Sequence, residues 1–504
     1  MARIIVVGAG SAGCVVAARL SAEHEVELVE AGPDWAGTAT ETRLASANWM
    51  DAMASPEAFD PALAATRLAG DAPRQYHRGR GVGGSSSVNA MLALPGLPRD
   101  YDRWAEHYGL DEWSWERVEP TFVRLARDLI ATPADEYTPM DRALVDAAGA
   151  LGMATGVDTL TPDDGGGTLW RNADAIGRRS SAAVYLRPVL ERGAVVLRTE
   201  AKVDRLLREG DAVVGVVLLD GTKVYADQVV LAAGAIETPA ILLRSGCSRP
   251  GVGKGLQDHP AASLLLALRP SVREVRDGQP CINAVVRTSS SRAEGDIHVL
   301  PMQGALSEST PAHHAVVMAA VMTVTSTGEV RLNRDDPTGP PVIAERMLTT
   351  ERDRQVMREA VGVARRLLET APFQEIVEAA FIDAAGTPVA ALDDPDVYNA
   401  WLTSSIGDYF HAVGTARMGT ADDPGAVVDQ RGRVHGLANV RVIDCSVMPE
   451  VPAANTHLPV VMVAERLSAA LLADLAPSTS VSASPSASAS VSSSEGVADR
   501  VHSL

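Results

Sequence analysis

The sequence predicts an α/β fold in which a parallel sheet flanked by helices is interrupted by a second, antiparallel sheet. Three observations support this prediction: a strand–helix–strand pattern in the first 30 residues, short β-like runs between residues 194 and 231, and β-like runs alternating with a long helical stretch beyond residue 260. A chain of 504 residues also exceeds what one hydrophobic core usually serves, so two or more domains are expected.

The first element is a Rossmann-like turn between a strand and a helix. The apolar strand at residues 4–7 runs into Gly8-Ala9-Gly10-Ser11-Ala12-Gly13, and an apolar-striped helix extends to Leu20. Gly8 permits the tight turn, Gly10 lets the backbone approach a pyrophosphate, and Gly13 lets helix and strand pack closely. Because the first N–H groups of a helix are unpaired and carry partial positive charge, a phosphate site that includes Ser11 and Ala12 is predicted here.

The second strand of this unit, residues 25–29, ends at Glu30. An acidic residue about 20 positions after the central glycine can accept both hydroxyls of an adenosine ribose and repels a 2′-phosphate. Glu30 and its neighbour Ala31 therefore complete a predicted adenine dinucleotide site. This unit alone is compatible with either FAD or NAD.

Composition excludes several classes of function. The net charge of −19 disfavours nucleic acid and anionic membrane surfaces as partners. No apolar run approaches the roughly 18 residues of a membrane-spanning helix, and no signal peptide precedes the first strand. The cysteines show no metal-ligand spacing, so no metal site is expected, and reduced thiols in a cytoplasmic protein are predicted; they are Cys14, Cys247, Cys281 and Cys445.

Three further regions complete the predicted organisation. Residues 78–91 are too rich in Gly and Ser for a stable helix and predict a second loop in contact with a ligand. Turns at 209–211 and 220–221 predict β-hairpins, and the last β-like run leads into another strand–glycine–helix element at 232–244. Helices are predicted at 104–129 and 350–368, and the Ser/Ala-rich residues 476–504 predict a disordered tail.

Several of these segments resemble the glucose–methanol–choline (GMC) oxidoreductases, a family of FAD enzymes. The loop at 80–89 and the strand–helix element at 232–246 resemble the two signatures of that family. Residues 251–260, which contain Leu256-Gln257-Asp258-His259, resemble a third block. The C-terminal runs at 411–419, 442–449 and 455–459 resemble the catalytic end of the family, and all blocks occur in family order.

The resemblance implies an FAD-binding domain formed by residues 1–128, 180–262 and 409–475. An α+β substrate domain, formed by 129–179 and 263–408, would interrupt it with an antiparallel sheet backed by helices. FAD would be bound non-covalently, because Val88 stands where some relatives attach the flavin through a histidine. The implied cofactor contacts are Arg80, Gly81, Gly84, Ser85, Asn89, Ala90, Val203, Ala233, Gly234, Asp444, Thr456 and His457.

The resemblance also implies a catalytic pair, His411 and Asn455. A neutral imidazole suits the base that takes the hydroxyl proton while a hydride leaves the alcohol carbon, and His411 would fill this role. Asn455 cannot take a proton, but its amide can orient the substrate oxygen. A helix start at Leu458-Pro459 would place its positive dipole end near the flavin. His457 is assigned a structural or flavin-edge role, with a second proton carrier as the alternative, and His259 is expected to support a loop.

The expected function is oxidation of a primary alcohol to an aldehyde by hydride transfer to flavin N5, with O₂ or a quinone or other acceptor taking up the electrons. Ala261 and the lack of a nearby acidic residue disfavour choline as substrate. Alternatives remain open: a lyase or decarboxylase on the same fold, an alcohol dehydrogenase linked to the mycofactocin redox cofactor, an NAD-linked dehydrogenase, or a flavin-stabilised scaffold without turnover.

Overall fold

The structure is a computed structural model, and it describes residues 1–276, 278–304 and 314–476. The predicted tail at 476–504 therefore lies outside the described residues, apart from Ala476. The strands of the described chain are β1 (Arg3–Val7), β2 (Glu25–Val29), β3 (Ala64–Thr66), β4 (Arg74–Gln75), β5 (Ile130–Ala131), β6 (Thr155–Asp158), β7 (Gly165–Thr168), β8 (Trp170–Arg171), β9 (Val195–Arg198), β10 (Val203–Glu209), β11 (Ala212–Leu218), β12 (Lys223–Tyr225), β13 (Gln228–Leu231), β14 (Lys254–Leu256), β15 (Pro260–Leu268), β16 (Ala284–Thr288), β17 (Ile297–Gln303), β18 (Ala315–Val321), β19 (Gly328–Arg331), β20 (Val342–Ala344), β21 (Val377–Phe381), β22 (Gly407–Asp408) and β23 (Val440–Val442).

The α-helices of the same residues are α1 (Ser11–Leu20), α2 (Ala39–Leu44), α3 (Trp49–Met53), α4 (Pro98–Tyr108), α5 (Trp115–Ala126), α6 (Pro139–Ala150), α7 (Arg187–Glu191), α8 (Gly234–Arg244), α9 (Glu351–Leu368), α10 (Ala371–Ile376), α11 (Pro395–Ser405) and α12 (His457–Leu475).

A parallel sheet in the order β23-β13-β1-β2-β9 forms the nucleotide-binding half of the molecule. Its central strands are apolar and buried along most of their length, as expected when both faces of a parallel sheet are covered. Helix α1 packs against α12, and Arg19 forms an ion pair with Glu465 at 2.7 Å. In this arrangement ligands bind where the carboxyl ends of the strands open, and the glycine turn after β1 lies at that edge.

A second, eight-stranded sheet follows the path β21-β15-β18-β17-β16-β7-β6, with β22 beside β15. Helices α6 and α9 pack against it, which confirms the predicted sheet backed by helices. One pair, β6 and β7, is parallel, so the sheet is mixed rather than wholly antiparallel. The exact domain limits given above stay a prediction.

Local predictions hold where short-range turn signals decide the structure. The hairpins β10–β11 and β11–β12 form at the predicted turns, and α9 begins after Thr350, whose hydroxyl accepts the Asp353 N–H. The single helix predicted at 104–129 is wrong. The chain forms α4 and α5 instead, because Gly109 ends α4 in a left-handed conformation at φ +66° and Ser114 precedes α5 in extended backbone.

Two further properties concern the environment of the chain. No helix among the described residues is long and apolar enough to cross a membrane. All four cysteines carry free thiols. Localisation in the cytoplasm stays a prediction.

Candidate active site

The two predicted glycine loops are tied together by Glu30. Its carboxylate accepts the backbone N–H groups of Ala9 and Gly32 at 2.8 Å each, and that of Gly81 at 3.2 Å. The residue is 8% exposed. One buried acidic side chain thus connects the end of β2, the turn after β1 and the second loop.

The turn itself leaves an open cradle at the start of α1. A Cβ on Gly13 would lie 1.8 Å from the Gly8 carbonyl oxygen, so this position must be glycine for the helix to pack on the turn. A Cβ on Gly84 would lie 2.7 Å from the Gly10 Cα, whereas a Cβ on Gly10 would meet no atom within 4 Å. No side chain caps α1, so its first N–H groups, including those of Ser11 and Ala12, face a space suited to a phosphate.

The Ser-rich part of the second loop is held by a residue that sequence analysis did not single out, Arg178. Its guanidinium donates to the carbonyl and side-chain oxygens of Asn89 and to the Leu44 carbonyl. Among the described residues no carboxylate forms an ion pair with it, and burial lowers its pKa to about 9. The Nη2 atom is buried without a hydrogen bond. This loop therefore carries a buried positive charge.

The third predicted element surrounds the start of α8. Asp444 accepts the Gly234 N–H at 2.8 Å and the Thr238 hydroxyl at 2.6 Å, and its other oxygen accepts the Ser446 N–H. It is buried, and burial raises its pKa. Asp444 thus joins the turn after β23 to α8, whereas its predicted contact with the ribityl or diphosphate part of FAD stays a prediction.

The other predicted cofactor residues are spread over the two loops and the starts of β10 and α8. Ala90 follows Asn89, Ala233 precedes α8, Val203 begins β10 and is buried, and the Ser85 hydroxyl accepts the Gly79 N–H. Ala31 follows Glu30, and the Arg80 carbonyl accepts the indole N–H of Trp35 at 3.1 Å. These positions stay predicted FAD contacts.

His411 and Asn455 face each other. Asn455 Nδ2 lies 3.4 Å from His411 Nε2. Because an amide nitrogen only donates, this contact is a hydrogen bond when Nε2 carries the lone pair. Burial, followed by the nearby His259 and Arg78, holds the pKa of His411 well below its usual value. The imidazole is therefore neutral at neutral pH.

His259 contacts the other side of the His411 ring. The two Nδ1 atoms are 2.9 Å apart and the rings are perpendicular. His259 is completely buried, and burial lowers its pKa to about 3. The prediction that His259 supports a loop is therefore incomplete, because its ring is a direct partner of the predicted base.

Asp258 anchors both histidines through their backbones. Its carboxylate accepts the His411 N–H with both oxygens at 2.9 Å and the His259 N–H at 2.7 Å, and Tyr76 Oη lies at 3.3 Å. Burial and then Asp408 raise the Asp258 pKa to about 7, against the opposing charge of Arg78. Asp258, His259 and His411 also place potential metal-ligand atoms within 4.8 Å of one another. Hydrogen bonds among these residues account for the grouping.

The surroundings of this pair are apolar on one side. The Tyr409 ring centroid lies 5.2 Å from that of His411 and 6.1 Å from that of His259. Tyr409 packs against apolar clusters that contain Met318 and Ala454, and its buried hydroxyl makes no hydrogen bond.

The N-terminus of α12 also faces this region. Thr456 precedes the helix without a side-chain cap, and His457 and Pro459 lie in its first turn. Burial, and then the charge of Arg178, lowers the His457 pKa to about 4. The helix therefore contributes the positive end of its dipole and a neutral imidazole.

Residues 2–261 and residues 324–464 each match a family model described as GMC oxidoreductase. The chain belongs to the GMC oxidoreductase family. As a GMC oxidoreductase it is an FAD-dependent enzyme that acts on CH–OH donors.

Two curated relatives cover nearly all of this GMC oxidoreductase. The 5-(hydroxymethyl)furfural oxidase of Methylovorus sp. (strain MP688) is 30% identical, over 93% of this chain and 98% of that protein. The pyridoxine 4-oxidase of Microbacterium luteolum is also 30% identical, over 92% and 98%. The crystal structure of pyridoxine 4-oxidase from Mesorbium loti has a TM-score of 0.79 and 28% identity, over 93% of this chain and 99% of that one.

Proposed function

We propose that this GMC oxidoreductase oxidises a primary alcohol to the aldehyde with His411 as the base. The observation that carries the proposal is the neutral, buried His411 imidazole, whose Nε2 lone pair faces the amide N–H of Asn455 at 3.4 Å. A general base must lie within hydrogen-bond reach of the proton that it removes. A hydroxyl oxygen placed beside both groups, at hydrogen-bond distance from each, meets one acceptor and one donor.

Each residue of the pair has a separate task. His411 Nε2 takes the hydroxyl proton as the hydride leaves the adjacent carbon. Asn455 donates to the same oxygen and holds its orientation while negative charge develops there. FAD, when bound, supplies the acceptor for the hydride.

The residues that would hold FAD fit its two charged regions. The open cradle at Gly10 and the uncapped first turn of α1 suit the diphosphate. Glu30 accepts three backbone N–H groups, and its remaining lone pair can accept a hydroxyl of the adenosine ribose. The positive end of α12 and the unpaired guanidinium of Arg178 suit the part of a flavin on which negative charge develops. The buried aliphatic side chain of Val88 supports non-covalent binding. Acid or heat denaturation should therefore release the whole flavin into the supernatant.

The site favours a neutral alcohol. Asp258, the carboxylate next to the histidines, is already engaged by two backbone N–H groups and is a poor partner for an ammonium ion. Ala261 offers no charge, and the Tyr409 side of the site is apolar. The relatives named for 5-(hydroxymethyl)furfural and pyridoxine suggest aromatic compounds with a hydroxymethyl group as the first substrates to test.

The test is an alcohol panel mixed anaerobically with the purified enzyme while absorbance near 450 nm is followed. Bleaching by aromatic primary alcohols, and its loss in His411→Ala, is expected. Absence of bleaching with every alcohol would favour a lyase or decarboxylase, and a colourless protein that needs NAD would favour an NAD-linked enzyme. Unchanged bleaching in His411→Ala would overturn the role of His411. Parallel assays of peroxide release and of dye reduction then identify the acceptor class.

A further inference from the structure

We infer that His259 is a positioning residue that keeps the proton of His411 on Nδ1, so that Nε2 is the atom left free to accept the proton of the alcohol. This inference rests on the proposed role of His411 and adds a residue that controls its tautomer.

The first step concerns His411 itself. A neutral imidazole carries one N–H, on either Nδ1 or Nε2. The Asn455 amide nitrogen lies 3.4 Å from Nε2 and can only donate, and this geometry assigns the lone pair to Nε2. The single N–H of His411 is then on Nδ1, and it points at His259.

His259 then carries its own proton on Nε2. Its Nδ1 lies 2.9 Å from His411 Nδ1 and must accept, so its own proton is on Nε2. The carbonyls of Met322 and Pro452 act on this ring in the direction that favours a proton, although Nε2 makes no hydrogen bond of regular geometry. Because burial keeps His259 neutral, its Nδ1 retains the lone pair that the contact requires.

The main chains of His259 and His411 are held in place by their neighbours. The two histidines lie on neighbouring segments that pair on both sides of them: Gln257 with Val413, and β15 with β22. Asp258 additionally binds the backbone N–H groups of both histidines. The main chains of both residues are therefore held by backbone pairing and by one shared carboxylate, and the rings then meet through their Nδ1 atoms.

The chemical consequence appears when His411 receives the proton. The ring becomes an imidazolium, and its Nδ1–H donates to His259 as a charge-assisted hydrogen bond, which is stronger than the neutral one. Without an acceptor at this place, His411 can adopt the tautomer with the proton on Nε2. In that tautomer the Nε2–H points at the Asn455 N–H, and Nε2 has no lone pair to take the proton of the alcohol.

Two variants separate this role from simple packing. In His259→Asn the side-chain amide oxygen can replace Nδ1 as acceptor, whereas His259→Leu fills the space without an acceptor. His107→Leu, at an exposed position in α4, is the matched control. We expect kcat to fall about 100-fold in His259→Leu with little change in KM, and to recover substantially in His259→Asn.

The decisive readout is independent of turnover. In the flavin-bound enzyme labelled with ¹⁵N-histidine, the His411 resonances are identified by their loss in His411→Gln. A protonated Nδ1 and an unprotonated Nε2 are expected in the wild type and in His259→Asn, with a mixture in His259→Leu. A proton on Nε2 in the wild type, or an unchanged tautomer and kcat in His259→Leu, would overturn the inference.

The same variants distinguish a failure of the proposed function from a failure of the role of His259. If His411→Ala still oxidises alcohols, the proposed function fails, whatever the tautomer of His411. If His411→Ala is inactive but the proton is on Nε2, only the role of His259 fails. Should His259→Leu not fold, a proton on Nε2 in the wild type, or in His259→Asn, would still overturn the inference.

Discussion

Asp258 accepts the backbone N–H of His411 with both oxygens of its carboxylate, at 2.9 Å each. This pairing fixes the main chain of the proposed base rather than its ring. The two imidazoles next to this carboxylate are neutral because burial lowers their pKa.

Loss of this anchor should slow catalysis without removing any reacting group. In Asp258→Ala the backbone at His411 loses its acceptor, and a displacement of about 1 Å at a reacting group can cost roughly 100-fold in rate. We expect kcat to fall by about this factor, and Asp258→Asn, which keeps one acceptor oxygen, to lose less. Steady-state kinetics on flavin-saturated enzyme measures both, with the exposed Asp220→Asn as control. Equal activity in Asp258→Ala and wild type would contradict the anchoring role.

The two glycines at the start of α1 should respond differently to alanine. Gly13→Ala places a methyl group against the Gly8 carbonyl oxygen and should prevent stable folding. Gly10 has φ −82°, which alanine adopts freely, and its Cβ meets no protein atom. Gly10→Ala should therefore fold normally but bind FAD at least about tenfold more weakly, a loss of about 1.4 kcal/mol. Thermal unfolding of the apoprotein and FAD titration distinguish the two variants. Full FAD affinity in Gly10→Ala would contradict the proposal that the diphosphate binds against the backbone of Gly10.

Glu345 should make stability depend on pH. Burial, and next Asp408 and Asp258, raise its pKa well above the usual value, and neither carboxylate oxygen forms a hydrogen bond. A raised pKa in the folded state means that the stability contribution of this group is complete below about pH 4.3 and is lost as the pH rises towards the folded value. In Glu345→Gln the side chain at this position does not ionise. The unfolding free energy of this variant should therefore increase relative to that of the wild type as the pH rises from 5 to 8.

The expected gain is at most about 1.4 kcal/mol per pH unit for one group. Urea unfolding at four pH values measures it, with the exposed Glu106→Gln as a control that should show no such trend. A difference that stays constant between pH 5 and 8 would mean that Glu345 is already ionised in the folded chain.

Asn455 should matter for rate more than for binding. Removing an amide that stabilises developing charge costs about 100-fold or more in kcat in comparable sites. Asn455→Ala should show this loss with a smaller change in KM, and Asn455→His, which restores a donor, should be less impaired. Rapid anaerobic mixing followed near 450 nm isolates the hydride step. A change confined to KM would place Asn455 in substrate binding alone.

Much of the nucleotide-binding half of the molecule can be predicted from the sequence, because the residues that form its turns lie close together in the chain. The turn around Gly10 needs three glycines within six residues and an acidic residue about 20 positions after the central one. Both requirements can be read directly from the sequence. The break between α4 and α5 is harder to predict, because the apolar spacing continues across Gly109 and Ser114.

The surroundings of the catalytic pair cannot be predicted in the same way. His259 and His411 are 152 residues apart, and no periodicity connects them. Arg178 contacts mostly backbone carbonyl groups, which every residue carries, and its one side-chain partner, Asn89, is 89 residues away in the chain. Family resemblance identifies the blocks that contain His259 and His411, whereas the contacts between blocks depend on the tertiary fold.

The packing of α1 on α12 has a consequence for biosynthesis. Arg19 and its partner Glu465 are 446 residues apart, so at ~5–20 residues per second the ribosome needs roughly 20–90 s between them. During this time the apolar face of α1 lacks its cover, and β13 lacks β23. The first glycine turn therefore emerges early, whereas the helix that packs on α1 is made last, and exposed apolar surface of this kind favours aggregation until α12 docks.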